Sequence, residues 1–565
     1  MMKGQQLLLS KTKINNNNND KNSSKSSSIK NRSLPSLSSS IVVLKSKVSK
    51  EKIRSPLKQL PSLSSSAPGP VNKKAPSNYV YRYKLLPGNN VRVLLGCLRR
   101  RPWWHACIKS DDDNDTNKGL TFLWEMYRSR LRYKDNSYVG VMLNHIQRNH
   151  CLVTKKGLYF CLKKYCEENN IDLLSIVPRT FYLASGSMMK RNSNVSNIDD
   201  LDAFLAYNKL KDSETSSVTL STESSNQQTQ PLNDENININ RTDDENEVTN
   251  NSNIEPATDS NSRSTTPPPP AYSPHLSKKN KPESKGVIWI LKPASLTNRG
   301  FGIKVVRGVD ETVAITKRST TANNDNEDKP LAKAASKRGA QEGWIVQEYM
   351  ERPLLVCGRK FDIRCFVLLT LSSRKGLRAY FFRDAYVRTS CKKYSLDKLE
   401  DRETHLTNDA VQKNAKNYSK FESGNKLDFE QWQEVINQDY PNAPSNVVNN
   451  FIFPEIKRLT TLSIVAASDE LIQTDIRQSF ELLGYDYMVD DDFKPKLIEI
   501  NSNPCLEFAC PLLTRIISSL IENVVRTGLD PIFQPPPEGL RTKACEEIIQ
   551  EIENEENMFT QIYPC

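Results

Sequence analysis

The sequence predicts an α+β fold: a larger, sheet-rich part over 286–535, a smaller α/β part over 78–189, and polar segments around them. Three observations lead there. Runs with strand character, Val287–Leu291, Trp344–Tyr349, Phe361–Leu371 and Leu377–Phe382, follow one another without the regular strand-helix alternation of a doubly wound fold. A helical stretch over 447–484 interrupts them. A hairpin, GYDYMVDDDFKPKLIEINSNP over 484–504, then closes the series around an acidic turn.

Only 37% of the 565 residues are hydrophobic, which is low for a chain of this length folded throughout. Residues 1–77 are expected to be a disordered tail, because an Asn run (Asn15–Asn19) and Ser/Lys-rich sequence show no apolar period. They hold 15 Lys and Arg against 2 Asp and Glu, which equals the net charge of +13 of the whole chain. The remainder is therefore neutral, and the pI near 9.0 reports a basic arm suited to a polyanion. Leu7–Leu9 is too short for a signal-peptide core, and no segment has the length of a membrane span, so a cytoplasmic protein with no membrane partner is expected. The 12 Cys include no CxxC pair and are expected to stay reduced. His145, His150 and Cys151 lie close together, but a second ligand cluster at zinc spacing is missing.

Within 78–189, Val91–Leu98 reads as a strand, Leu120–Leu131 as the start of an amphipathic helix, and Lys155–Asn169 as a helix with Leu158, Cys161, Leu162 and Tyr165 on one face. Pro178–Leu183 reads as a loop entering a strand. Residues 190–285 read as a disordered insertion: Asp199–Asp259 contains 14 acids against 3 bases, and Pro267–Pro270 is a proline run. In the larger part, Gly300-Phe301-Gly302 reads as a turn before the strand Ile303–Val306, and 316–342 as a flexible polar loop. A helix over Pro511–Arg526 follows the hairpin, and 536–565 reads as a short acidic tail.

The hairpin carries the first chemical signal. With its turn centred between Asp492 and Phe493, Asp486 stands opposite Glu499, and alternation puts Asn501 on the same face as Glu499. Two carboxylates facing each other in a half-buried sheet repel. A hard cation between them resolves the repulsion, and two carboxylates with an amide oxygen suit Mg²⁺ shared with phosphates; a solvated acidic edge is the ligand-free reading. Upstream, Lys292 ends a strand ahead of Arg299, Gly300 and Gly302, a composition that lets amides and an ammonium approach phosphate, although glycine turns also serve ordinary hairpins. No Walker A, HRD or DFG motif occurs. In Arg359-Lys360-Phe361-Asp362-Ile363-Arg364 three charges share one strand face, which calls for a charged ligand unless the strand is a solvated edge. Arg388, His405, Thr407 and Asn408 add cationic and hydrogen-bonding groups in apolar surroundings; for His405 a buried, hydrogen-bonded side chain is the plainer reading than a base.

The segments WILKPASLTNRGFGIKVV, WIVQEYMERPLLVCGRKFDIRCFVLL, HLTNDAVQK and GYDYMVDDDFKPKLIEINSNP, in this order, resemble the tubulin-tyrosine ligase family, and NHIQRNHCLVTKKGL, PRTFYL and GLDPIF agree with its outlying blocks. The resemblance implies an ATP-grasp fold and an ATP- and Mg²⁺-dependent ligase. Such an enzyme joins a free amino acid to the acidic carboxy-terminal tail of tubulin, free or in microtubules, through an acyl phosphate. It further implies that Lys292 binds phosphate, Arg299 and Gly300 cover it, and Gln347, Glu348, Tyr349 and Met350 border the adenine. Lys360, Asp362, Thr407 and Asn408 then contact the nucleotide, and Lys156 belongs to a basic pair of the amino-terminal block. Asp486, Glu499 and Asn501 are implied as magnesium ligands, and Lys360, Arg364 and Arg388 as the catalytic cations, the two arginines facing the acceptor or the amino acid. Glu348 departs from the family, where a basic residue is common.

GRKFDIR looks closer to the tyrosine-ligase and glycylase branches than to the glutamylases, and the short acidic end lacks the long basic extension of several glutamylases. A tyrosine-ligase-like enzyme is favoured over a polyglutamylase or glycylase, so Tyr is expected as the donor ahead of Glu or Gly. A cytoskeleton-associated monomer is expected, with cilia left open as a setting. Two other classes stand beside this reading. One is an inactive tubulin-binding protein, against which the intact Lys292, Lys360, Asp486, Glu499 and Asn501 weigh. The other is a nucleic-acid binder, suggested by the basic arm and Arg99–Trp104 but opposed by the neutral remainder.

Overall fold

The computed structural model describes residues 79–107, 119–184, 199–224, 286–294, 300–317, 343–472 and 477–564, all in the compact unit Asn72–Cys565. The expected basic tail, Arg299, most of the expected insertion and residues 318–342 lie outside the described residues. Among those described, no helix is long and apolar enough to cross a membrane.

Four strands open the fold: β1 (Tyr81–Leu85), β2 (Trp104–Ala106), β3 (Phe122–Trp124) and β4 (Met142–Leu143). β2 and β3 flank β1 in parallel, and β4 extends the set beside β3. Helix α1 (Val91–Arg99) corrects the strand expected at Val91–Leu98. Val91, Leu94, Leu95 and Leu98 recur at helical spacing, and the buried stripe of Leu94, Cys97 and Leu98 overrides the strand preference of Val91 and Val93. The helix expected from Leu120 is instead β3 followed by a 3₁₀ turn at Arg128–Arg130. Phe122 and Leu123 enter two different core clusters, so this short apolar run is a strand buried on both faces.

Helices α2 (His150–Val153) and α3 (Lys155–Asn169) follow, α3 with the expected bounds. Thr154 caps it by accepting from the Gly157 amide at 3.0 Å. Strands β5 (Thr180–Leu183), β6 (Ile288–Pro293), β7 (Lys304–Arg307) and β8 (Trp344–Glu348) form an antiparallel sheet in the order β5-β8-β6-β7. One face of this sheet is covered by α4 (Leu201–Ser224) and α5 (Val309–Lys317), through Phe204, Val309 and Val313 against Trp289, Leu291 and Val346. Residues 201–224 of the expected insertion are therefore a helix. Phe204 is fully buried, and Asn208 accepts from the Trp289 indole at 3.2 Å.

The main sheet adds β9 (Leu355–Val356), β10 (Arg359–Ser372), β11 (Gly376–Phe382), β12 (Tyr386–Lys393), β13 (Lys426–Leu427), β14 (Ser479–Val489), β15 (Pro495–Asn501) and β16 (Phe559–Tyr563). β10 lies between β12 and β14, and β4 joins β14 through Leu143 and Ser479, so the amino-terminal strands extend this sheet. Short helices α6 (Arg402–His405) and α7 (Asp409–Gln412) border β12, and α8 (Phe429–Asp439) follows β13. Helix α9 (Phe453–Ile472) covers one face of the sheet with Ile363, Val367, Tyr485 and Tyr487 beneath it, and α10 (Pro511–Val524) covers the other with Phe366 and Leu368. Residues 479–484, expected at the end of the helical stretch, already belong to β14. The expected acidic tail carries α11 (Lys543–Asn554), which buries Cys545, Ile549 and Ile552, and β16, which pairs with β11. Ile549 and Ile552, three residues apart, were a helical signal within that acidic stretch.

Candidate active site

The hairpin β14–β15 pairs Asp486 with Glu499, Tyr485 with Ile500 and Gly484 with Asn501. Nearer the turn the register differs by one, with Tyr487 opposite Leu497 and Val489 opposite Pro495. Ile498 is the extra residue, a bulge, and the pairing near the turn centres on Asp492, half a residue closer to the amino terminus than expected. The Asn501 side-chain nitrogen lies 3.2 Å from Asp486 Oδ2 and 3.3 Å from Glu499 Oε1, so the three converge on one face.

β10 is central, which rules out the solvated-edge reading of its charges. Lys360, Asp362 and Arg364 are all buried. Arg364 donates to both Asp486 oxygens, at 2.5 and 3.0 Å. Arg388 donates to both Asp362 oxygens at 2.6 Å and lies 2.9 Å from Asp486 Oδ2, while the Thr407 hydroxyl donates to Asp362 at 2.6 Å. Burial alone would raise the Asp486 pKa, but Arg364 and Arg388 outweigh it and bring it down to about 2. Asp486 is thus ionised at neutral pH and held in one orientation by bidentate pairing.

The second sheet supplies the opposite wall. Lys292 donates to Gln347 Oε1 at 2.8 Å, and Gln347 passes its amide to Thr180 Oγ1 at 2.9 Å. Burial, opposed by Glu499, pushes the Lys292 ammonium down to about 8. Lys360 donates to the Tyr349 hydroxyl at 2.9 Å and to the His405 carbonyl at 3.0 Å; burial, opposed by Asp362 and reinforced by Lys292, pushes it down to about 7. A cleft between the two walls is lined by Lys155, Thr180, Lys292, Gln347, Glu499 and Asn501. Among the described residues, neither Lys292 nor Lys360 has a carboxylate within ion-pair distance.

The remaining expected residues fall into two groups. Gly300 adopts φ 74°, and its carbonyl accepts from Arg402 at 2.9 Å. A Cβ there would lie 3.3 Å from Asn408 Oδ1, so the glycine turn and the Thr407-Asn408 pair are neighbours. His405 is buried with both ring nitrogens engaged, by the Tyr349 hydroxyl at 2.8 Å and the Lys398 carbonyl at 2.9 Å, and burial lowers its pKa. Met350 offers its carbonyl to Tyr394 at 3.5 Å. Glu348 does not join the group: alternation turns it to the α4 side, where it accepts from Tyr207 at 3.0 Å and meets Arg179 at 3.7 Å. Lys156 stands over the Tyr182 ring at 4.4 Å, whereas its neighbour Lys155 lines the cleft 3.9 Å from Glu499. Lys155 and Thr180 are contributions that the sequence did not assign. The Lys155-Lys156 pair was visible, but its helical phase was not.

The donor set fits a small hard cation. Two carboxylates and an amide, which turned about its last bond presents oxygen, are ligands for Mg²⁺. No group of three His, Cys, Asp or Glu that could hold a metal occurs among the described residues, so a cation here would need phosphate or water for its remaining ligands.

The family model of the tubulin-tyrosine ligase family matches residues 222–539. Human protein monoglycylase TTLL8 is 31% identical over 268 residues, 44% of this chain and 29% of its own. Tubulin glycylase 3C of Tetrahymena thermophila is 30% identical over 243 residues, 43% and 20% of the two chains. The probable tubulin polyglutamylase TTLL9 of Rattus norvegicus is 29% identical over 248 residues, 41% and 51%. The chain thus spans between a fifth and about half the length of these relatives. Their names are those of glycylases and a polyglutamylase, which favours the glycylase and polyglutamylase alternatives over the expected tyrosine-ligase branch. On the extent of the family match, which covers more than half of its residues, the chain belongs to the tubulin-tyrosine ligase family.

Proposed function

We propose that the protein is an ATP- and Mg²⁺-dependent ligase of ATP-grasp architecture that joins a free amino acid, glycine ahead of glutamate, to a carboxylate on the acidic tail of tubulin. The observation that carries this reading is the pair of buried amines, Lys292 and Lys360, without carboxylate partners among the described residues and beside the convergent Asp486, Glu499 and Asn501. Burying an ammonium without a counter-charge is costly, and a polyphosphate supplies that charge. Glycine is placed first because the relatives include a monoglycylase and a glycylase; the polyglutamylase relative, matched over about half its length, keeps glutamate as the second reading.

In this mechanism the acceptor carboxylate attacks the γ-phosphorus of ATP and ADP leaves. The amine of the amino acid then attacks the acyl carbon, inorganic phosphate leaves, and the amine gives up a proton as the amide forms. Bound Mg²⁺ would supply positive charge to the phosphate oxygens during transfer. Lys292 and Lys360 hold those oxygens, and Glu499 and Asn501 with Asp486 offer the oxygen ligands. Arg364 and Arg388 fix the Asp486 carboxylate, so their first task is positioning within a field already built before the reaction.

Incubating the protein with tubulin, Mg-ATP and radiolabelled glycine, glutamate or tyrosine tests the proposal. Label on tubulin from glycine supports it, and label from glutamate selects the second reading. No label from any donor, with tubulin still bound, identifies an inactive binder. Salt-sensitive RNA binding without transfer would favour the nucleic-acid alternative.

A further inference from the structure

The turn Gly88-Asn89-Asn90 ahead of α1 is far in sequence from the site yet is bonded to the segment that leaves it. Asn89 donates to Asn503 Oδ1 at 2.5 Å and to the Pro504 carbonyl at 2.8 Å, and its own Oδ1 accepts from the Leu506 amide at 3.1 Å. Asn90 donates to the Leu506 carbonyl at 2.8 Å. Asn90 is the N-cap residue of α1, and Asn is a good capping type, but its side chain makes no cap bond and reaches the 503–506 segment instead. Both residues sit in the left-handed region, at φ 46° and 53°, a conformation that costs energy for any residue with a Cβ. Two strained residues with four hydrogen bonds to one short segment make a clamp.

The clamped segment leads back to the site. A Cβ added at Gly484 would lie 2.9 Å from Pro504 Cβ and 3.3 Å from Arg364 Cδ and Nε, so Pro504 lies on β14 at the place where Arg364 runs to Asp486. Gly484 is itself the strand partner of Asn501. Pro504 therefore backs both the guanidinium that fixes Asp486 and the end of the strand that carries Glu499 and Asn501.

We propose that Asn89 and Asn90 are positioning residues for the cation-binding end of the site, acting through Pro504 and Arg364 on Asp486 and through the 503–506 segment on Asn501. The inference rests on the functional reading above for what the site binds, and on geometry alone for what the clamp holds. Because the contacts are made by side chains, removing the amide while keeping the left-handed backbone separates positioning from folding. Asn89→Gly does this, since glycine adopts positive φ freely.

The test uses the full chain and compares wild type, Asn89→Gly and Asn90→Gly. Hydrogen exchange, measured without added nucleotide, is expected to quicken in peptides covering 499–506, with thermal unfolding unchanged and exchange in α1 unchanged. Mn²⁺ with ATP, followed by the electron paramagnetic resonance of the metal, is expected to bind about tenfold more weakly in Asn89→Gly, as for other residues that orient ligands from behind. In the transfer assay kcat falls while KM for the acceptor holds. Unchanged exchange at 499–506 in Asn89→Gly overturns the clamp, whatever the protein catalyses. Quickened exchange with unchanged Mn²⁺-ATP binding restricts Asn89 to holding the loop and overturns its link to the cation. Failure of the wild type to bind Mn²⁺-ATP overturns the functional reading, while the exchange experiment still decides the clamp.

Discussion

Binding of Mg-ATP is expected to take up protons, because Lys292 and Lys360 are held down to about 8 and about 7, burial being the main cause for each. Phosphate oxygens beside the two amines favour the charged forms and raise both values on binding. A depressed lysine is charged below its own pKa and neutral above it, so affinity is full in acid and is lost as pH rises through 7 and then 8. For a ligand that binds only the doubly charged form, each lysine weakens binding by the factor 1 + 10^(pH − pKa), which multiplies to about 500-fold between pH 7 and pH 9. Uptake approaches about two protons at pH 9 and falls to about 0.1 at pH 6. Titration calorimetry in buffers of different ionisation enthalpy measures the proton number directly. Lys360→Met should leave about tenfold of the pH dependence, the share of Lys292. Uptake below about half a proton at pH 9, or a Kd constant over this range, would refute the placing of these amines against phosphate.

Glu499→Gln, in a partly buried position, should leave the unfolding temperature nearly unchanged and reduce amino-acid transfer by about 100-fold, at the upper end of what metal-site residues cost; retained transfer removes Glu499 from the cation site. Asp486→Asn takes from buried Arg364 its only carboxylate partner among the described residues, while Arg388 keeps Asp362, and should cost about 3–5 kcal/mol in urea unfolding at pH 7. Phe204→Ala, which empties the contact between α4 and Trp289, should cost about 3–5 kcal/mol and lower Mg-ATP affinity, measured by denaturation and calorimetry. Burial opposes the charge on His145, but Glu481, 2.7 Å away, outweighs it and raises the folded pKa. A raised histidine stabilises below its unfolded value of about 6.5 and loses that contribution as pH climbs through the folded value, so stability should decline on the alkaline side; Glu481→Gln should flatten the decline in unfolding curves from pH 5.5 to 8.5.

Much of the site was legible because its chemistry lies in short segments. Asp486, Glu499 and Asn501 sit on one hairpin, and Lys360, Asp362 and Arg364 on one strand, so period-two alternation was enough to group each set. What joins the sets was not legible. That Arg364 serves Asp486 and Arg388 bridges Asp362 and Asp486 depends on β10 lying between β12 and β14, a long-range pairing that no local period encodes. Glu348 went astray through its position in the family's motif, although alternation from Gln347 puts it on the opposite face. The fold misjudgements have a common origin. Val91–Leu98 and Phe122–Trp124 are short apolar runs, for which helix and strand periods overlap, and only the tertiary surroundings choose between them. The acidic composition of 536–565 concealed the three-residue spacing of Ile549 and Ile552.

The bulge at Ile498 bears on what lines the cleft. Leu497 and Ile500 both enter the core below α9, while Glu499 and Asn501 face the cations, and this division would hold if Ile498 were absent, because the residues on either side already alternate. Ile498 is thus supernumerary to both faces, and it lines the cleft beside Lys292 and Gln347. The inserted residue adds an apolar side chain to the cleft that Glu499 and Asn501 also line, without taking the place of either on the strand.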